Sequence, residues 1–178
     1  MRASLERRHA AISAASNPLP GSEPRENRRP FRVPAKWEGL SVLDCVCAIV
    51  KHIGREAWQQ EFANQRVLDS DGQPADPSRT VKAGERYFHL YPIQAEPPVN
   101  PGIRIVHEDE ALLVLEKPAP LPVHAGGRFS RNTLQYFLNR AYAPQHPHPA
   151  HRLDANTTGL LLVARTRHFA GQLQPQFS

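Results

Sequence analysis

Two consecutive prolines, Pro97-Pro98, followed at once by Asn100-Pro101-Gly102, interrupt the chain just past its midpoint. Proline fixes its own φ and pushes the residue before it out of the helical region, so neither a helix nor a central strand runs through such a stretch. The 178 residues are thereby split into two parts, each small for an independent domain. Residues 97–102 are expected as a stiff linker.

The leading residues 1–30 carry Arg2, Arg7, Arg8, Arg25, Arg28 and Arg29 with alanine, serine, asparagine and proline between them. They hold too few large apolar side chains to offset the entropy of ordering. The expectation is a disordered basic tail, either a solvated leader or an arm that touches phosphates. The small-residue stretch Ala10 to Ala15 follows Glu6 and lacks an apolar centre, so it does not read as a signal peptide.

Residues 31–96 read as one small unit. Ser41-Val42-Leu43-Asp44 resembles a capping box with aspartate in the acidic place. Val42, Val46, Ile49, Val50 and Ile53 then recur at helical spacing, and Gly54 is the expected stop. A second helix from Arg55 to Asn64 puts Trp58 and Phe62 one turn apart, Asp71-Gly72 marks a turn, and Arg86 to Tyr91 reads as a strand.

Beyond the linker, residues 103–178 begin a second domain. Ile103 to His107 alternates like a strand, and Ala111 to Leu115 is an apolar run of buried-strand type. Asn132 or Thr133 caps a helix with Leu134, Phe137, Leu138 and Ala141 on one face. Leu160 to Ala164 is a further strand, and a helix from Arg167 is cut short by Pro175.

The formal net charge of +5 favours a polyanionic partner, either nucleic acid or an acidic membrane surface, without choosing between them. No apolar run approaches membrane-spanning length, so no membrane partner is expected. Cys45 and Cys47 point to different faces of a helix and are too few for a zinc site; reduced thiols fit a cytoplasmic setting. In the stretch His146 to His151 the prolines impose an extended path and no thiol or carboxylate is interleaved, so no metal is expected. The loop His124 to Arg128 lacks the lysine-bearing phosphate-binding pattern and is not read as a nucleotide site.

The chemistry rests on two segments. One is Leu112 to His124, a strand leading into Lys117-Pro118. The other is His151-Arg152-Leu153-Asp154-Ala155-Asn156-Thr157-Thr158-Gly159-Leu160, which runs into the apolar strand. Together they resemble the RluA-type pseudouridine synthases, which isomerise uridines of ribosomal and transfer RNA. The resemblance covers residues 103 to about 174. It implies an α+β protein: a small S4-like RNA-binding domain, then the N-terminal portion of a mixed, mainly antiparallel-sheet catalytic domain. The S4 likeness is carried by the helix pair and by the stretches Gly39 to Asp44 and Val81 to Glu85.

Pseudouridine formation breaks the bond from uracil N1 to the ribose, turns the base and rejoins it through C5. Nothing is oxidised and nothing imported, so no cofactor is implied. One ionised carboxylate beside the sugar is required, as nucleophile or as base, and Asp154 is the carboxylate of the motif. Arg152 would favour its charged form or hold RNA, and the hydroxyls of Thr157 and Thr158 would donate to it. The resemblance further implies RNA contacts from His151, Lys51 and Arg55. Lys117 reads as an RNA contact or as a structural ion-pair partner. The other interpretation of the chain is a non-catalytic RNA-binding protein that keeps the S4-like unit.

One departure from the family pattern is Thr158 where serine is usual. The other is that family members continue well past this point, with a tyrosine that packs on the target base and a second basic residue near the aspartate. The catalytic domain is therefore expected to be incomplete, poorly folded and weakly active alone, with exposed strand edges and apolar faces.

Overall fold

The computed structural model describes residues 2–177, and side chains from residue 4 onward. In chain order the elements are α1 (Arg2–Ser16), β1 (Arg25–Arg32), α2 (Val42–Ile49), α3 (Arg55–Ala63), β2 (Val67–Leu68), β3 (Arg86–Gln94), β4 (Arg104–Glu108), β5 (Leu112–Lys117), α4 (Leu134–Ala141), β6 (His148–Pro149), β7 (Gly159–Ala164) and α5 (Arg167–Leu173). They form two compact units: residues 25–93, and residues 94–178 together with 1–24.

The smaller unit is a three-stranded sheet in the order β1-β3-β2 with the α2–α3 pair. Its start is set locally. The Ser41 hydroxyl accepts the Asp44 backbone N–H at 3.0 Å and donates to the Asp44 carboxylate at 2.6 Å. This is a reciprocal cap in which the acid reaches the hydroxyl rather than the capping N–H. The core gathers Val42, Cys45, Val46, Trp58, Phe62, Val67, Val81 and Tyr87. Gly54, expected to end α2, is instead the residue that opens α3; α2 stops five residues earlier, at Ile49. Cys45 is buried, Cys47 is half-buried, and both are free thiols, with burial raising the pKa of each.

The larger unit holds a four-stranded antiparallel sheet in the order β4-β5-β7-β6. Alternation along β5 and β7 turns Leu113, Leu115, Leu161 and Val163 to one face. The α4 helix covers that face with Leu134, Phe137 and Leu138. Thr133 caps α4, its hydroxyl accepting from the Tyr136 N–H at 3.2 Å. The poor folding expected of this half is not what the structure shows, because α4 and α1 close the inner face into a single core. The outer face leaves Val106 and Leu160 45% and 60% exposed.

The disordered tail expected over residues 1–30 is also corrected. Its first part is α1, which packs on α4 and β4 within the larger unit. Ile12 is buried in the core and Leu5 packs against it. Arg8 lies over the Tyr142 ring at 4.3 Å and pairs with Glu108 at 3.3 Å, and the Ile105 N–H donates to His9 Nε2 at 2.8 Å. Its last part is β1 of the smaller unit. The linker is corrected as well: residues 97–102 belong to the larger unit, with Val99 buried and the Asn100 N–H donating to the Pro120 carbonyl at 2.7 Å. Nearby, the buried Asn132 side chain accepts the Gly21 N–H at 2.8 Å, an approach so close that a Cβ at position 21 would sit 2.7 Å from it.

Two stability predictions arise here. Ile12→Ala removes a buried side chain that contacts the core only if α1 docks, and a loss of about 2–4 kcal/mol is expected by urea unfolding. A loss below about 1 kcal/mol would mean that α1 does not dock in solution. Asp109 supplies the pH dependence. Its carboxylate caps the β4–β5 turn, accepting from the Leu112 and Ala111 N–H groups at 2.9 and 2.8 Å and lying 3.1 Å from His107 Nε2. The Leu112 amide, then His107, then Ala111 hold its pKa down at about 2, against an ordinary 3.8. A carboxyl depressed in the folded state stabilises it above the unfolded value and loses that stabilisation as pH falls. Between pH 4 and 2 the wild type should therefore lose stability more steeply than Asp109→Asn, read from unfolding midpoints.

Candidate active site

The segment carrying Asp154 is a turn at the mouth of β7. The Thr157 N–H donates to the Asp154 carbonyl at 3.0 Å, closing it. Leu153 packs inward against the core while Arg152 and Asp154 on either side face solvent. Gly159 follows with φ +151°, a conformation L side chains rarely adopt, and starts β7 opposite Lys117 of β5.

Lys117 is what holds this turn in place. It is fully buried, and its ammonium donates to the carbonyls of Leu121 at 2.8 Å, Pro118 at 3.0 Å and Ala155 at 3.3 Å. The Ala155 carbonyl also accepts the Leu121 N–H at 2.8 Å. The residue directly after Asp154 is thus tied to the Lys117-Pro118 segment by two donors. Of the two roles expected for Lys117, RNA contact is ruled out by burial, and the structural role takes the form of carbonyl binding rather than an ion pair. Burial lowers its pKa, and the nearby Asp154 charge acts in the opposite sense.

The remaining expectations fare unevenly. Asp154 is exposed on the turn. Its carboxylate accepts no hydrogen bond from a described residue, and Thr157 and Thr158 face solvent, with only the Thr157 backbone bonded to the turn. His151 is half-buried: Nε2 accepts the Leu162 N–H at 3.2 Å and the ring stacks on Phe177 at 4.6 Å. That makes it a brace for β7. Arg152 is exposed and lines an open cleft of about 460 Å³ with His124, Pro149, Ala150, His151, Gln174 and Phe177.

His124, read from sequence as the end of the Lys117-Pro118 segment and the start of a basic loop but given no role, is a wall of that cleft. Burial first, and then the Arg152 charge, hold its imidazole below the ordinary range, so it is neutral at pH 7. No local pattern marks it; it gains significance from Arg152, which lies far along the chain. Among the described residues no cluster of three or more metal-ligating side chains occurs. No described helix is long and apolar enough to cross a membrane.

In the smaller unit Lys51 and Arg55 are exposed, as an RNA contact requires. Arg55, however, is paired with Asp44 at 2.5 Å. The Asp44 carboxyl is held low first by the Ser41 hydroxyl and then by Arg55.

Fold and site define a class: a mixed helix and antiparallel-sheet protein that presents one solvent-facing carboxylate on a braced turn. Residues 111–178 match the model of the RNA pseudouridylate synthase family. An uncharacterised RNA pseudouridine synthase of Synechocystis is 34% identical over 76% of this chain and 46% of its own length. The tRNA pseudouridine(31) synthase of Saccharomyces cerevisiae is 29% identical over 89% of this chain and 44% of its own. Human pseudouridylate synthase RPUSD2 is 38% identical over 49% of this chain and 15% of its own. The chain spans less than half the length of these relatives.

Proposed function

We propose that this protein isomerises uridine to pseudouridine in RNA, with Asp154 as the carboxylate that acts on the ribose. The observation that carries the reading is the exposed Asp154 on a turn fastened from behind by Lys117. A carboxylate so placed is open to a nucleoside from solvent and has its backbone held in one position, which both nucleophilic attack and proton abstraction need. The target uridine has to leave its stack, at a cost of a few kcal/mol. Arg152, two residues away and exposed, is suited to hold the displaced strand through a phosphate. The names of two Saccharomyces cerevisiae relatives, both tRNA pseudouridine synthases, support transfer RNA as the substrate class.

The smaller unit is read as an S4-like RNA-binding module, supported by its capped helix pair followed by short strands and by the exposed Lys51 and Arg55. The free thiols suit the cytoplasm. The test is conversion of uridine in bulk transfer and ribosomal RNA by the protein expressed from its own gene, read as pseudouridine after nuclease digestion. Unchanged nucleoside content in a strain lacking the gene would overturn the proposal.

A further inference from the structure

Resting on the RNA reading above, we infer that the protein has a second RNA contact on the outer face of the β1–β3 sheet, built from Arg28, Arg32 and Arg86. The segment Arg25–Arg32 holds four arginines against one glutamate. Its burial alternates, so Arg28 and Arg32 lie exposed on one face while Arg29 and Phe31 turn to the other. The inner face is packed: Phe31 stacks on Tyr87 at 5.5 Å and Arg29 lies over Tyr91 at 4.3 Å. With Phe31 beside Tyr87, the neighbouring pair Arg32 and Arg86 falls on the outer face, and Arg86 is exposed there. Bonds from Val33 N–H to the Glu85 carbonyl at 2.9 Å and from Gly84 N–H to the Val33 carbonyl at 2.8 Å fix this alignment.

Charge separates this face from the helix pair. There Arg55 and Arg66 each face a carboxylate, Asp44 at 2.5 Å and Glu61 at 3.4 Å. Of Arg28, Arg32 and Arg86, one pairs with a carboxylate among the described residues: Arg28, with Glu26. The Arg32 guanidinium donates to the neutral Gly84 carbonyl at 3.2 Å, and Arg86 pairs with no carboxylate among the described residues. Phosphate binding draws on cations whose counterions are free to be released, which a carboxylate-paired arginine supplies less fully. Arg28 and Arg32 stand about 13 Å apart along the strand, a rigid row suited to successive phosphates of one RNA strand. No base-reading geometry accompanies them, so the contact is with the backbone and is insensitive to sequence.

The experiment compares the full chain with the triple variant Arg28→Gln/Arg32→Gln/Arg86→Gln and its Arg→Lys counterpart, using bulk transfer RNA and oligouridine as probes across a salt series. The glutamine variant should bind about tenfold or more weakly at low salt, and its slope of log affinity on log salt should fall by about 2. The lysine variant should keep the slope. Circular dichroism confirms folding of each. A glutamine variant with wild-type affinity and slope overturns the inference, as does equal loss in the lysine variant, which would mark a structural role. Capture by anionic vesicles with an unaltered RNA slope would also overturn it, in favour of a lipid surface. Loss of the uridine-isomerase reading leaves these binding outcomes unaffected, so the two failures are distinguishable.

Discussion

Asp154→Asn is expected to abolish pseudouridine formation, with a fall of about 10³-fold or more, the scale on which a missing base or nucleophile acts. Because Asp154 is exposed and accepts no hydrogen bond from a described residue, the substitution leaves no buried partner unsatisfied. Its stability should stay within about 0.5 kcal/mol of the parent, as for surface positions without special contacts. RNA affinity should be retained. The measurement is pseudouridine content of RNA from cells carrying each allele, alongside filter binding of the purified proteins. Undiminished modification by the asparagine allele would remove Asp154 from the chemistry. Retained binding without modification in both alleles would leave the protein as a non-catalytic RNA binder.

Lys117→Met is expected to be the most disruptive change in the larger unit. Methionine fills much of the volume but offers no donor to the carbonyls of Leu121, Pro118 and Ala155. Only the Ala155 carbonyl keeps another partner, the Leu121 N–H. Leaving buried carbonyls unpaired costs about 1–3 kcal/mol each, partly offset by relief of a buried charge, so a net loss of about 2–4 kcal/mol is expected. Burial lowers the Lys117 pKa from 10.5 in the folded state, so there the unfolded chain binds the proton more tightly. Wild-type stability should therefore gain from this residue as pH climbs toward 10.5, and the methionine variant should lack that gain. Urea unfolding across that range reads both. A loss under about 1 kcal/mol would mean that the ammonium does not brace the turn.

The sequence carried the strands and helices of the larger unit well. Ala111 to Leu115 and Leu160 to Ala164 are apolar runs, and Leu134, Phe137 and Leu138 recur at helical spacing; each is a local signal and each element formed, as Leu112–Lys117, Gly159–Ala164 and Leu134–Ala141. The Ser41–Asp44 cap was legible for the same reason. By contrast, α1 was misread because its apolar residues are few and form no stripe. It is a helix by virtue of what it covers, since Leu5 and Ile12 meet the core that α4 and the sheet present.

The same division runs through the site. The ordered string from His151 to Gly159 marked Asp154 as the candidate carboxylate through the family resemblance, and the apolar run that follows it, a local signal, formed β7. What no local pattern could supply is exposure and partner. Lys117 and Arg152 are both cations near Asp154, one across the fold and the other two residues away in sequence, yet the first is sealed among carbonyls and the second lies in water. That difference is set by which face of β5 meets the core and by the return of the chain at Ala155, 38 residues later. Tertiary structure also paired Arg55 with Asp44 and gathered Arg28, Arg32 and Arg86 on one sheet face. Residue identity determined which charges exist; packing decided which of them remain free to meet a phosphate.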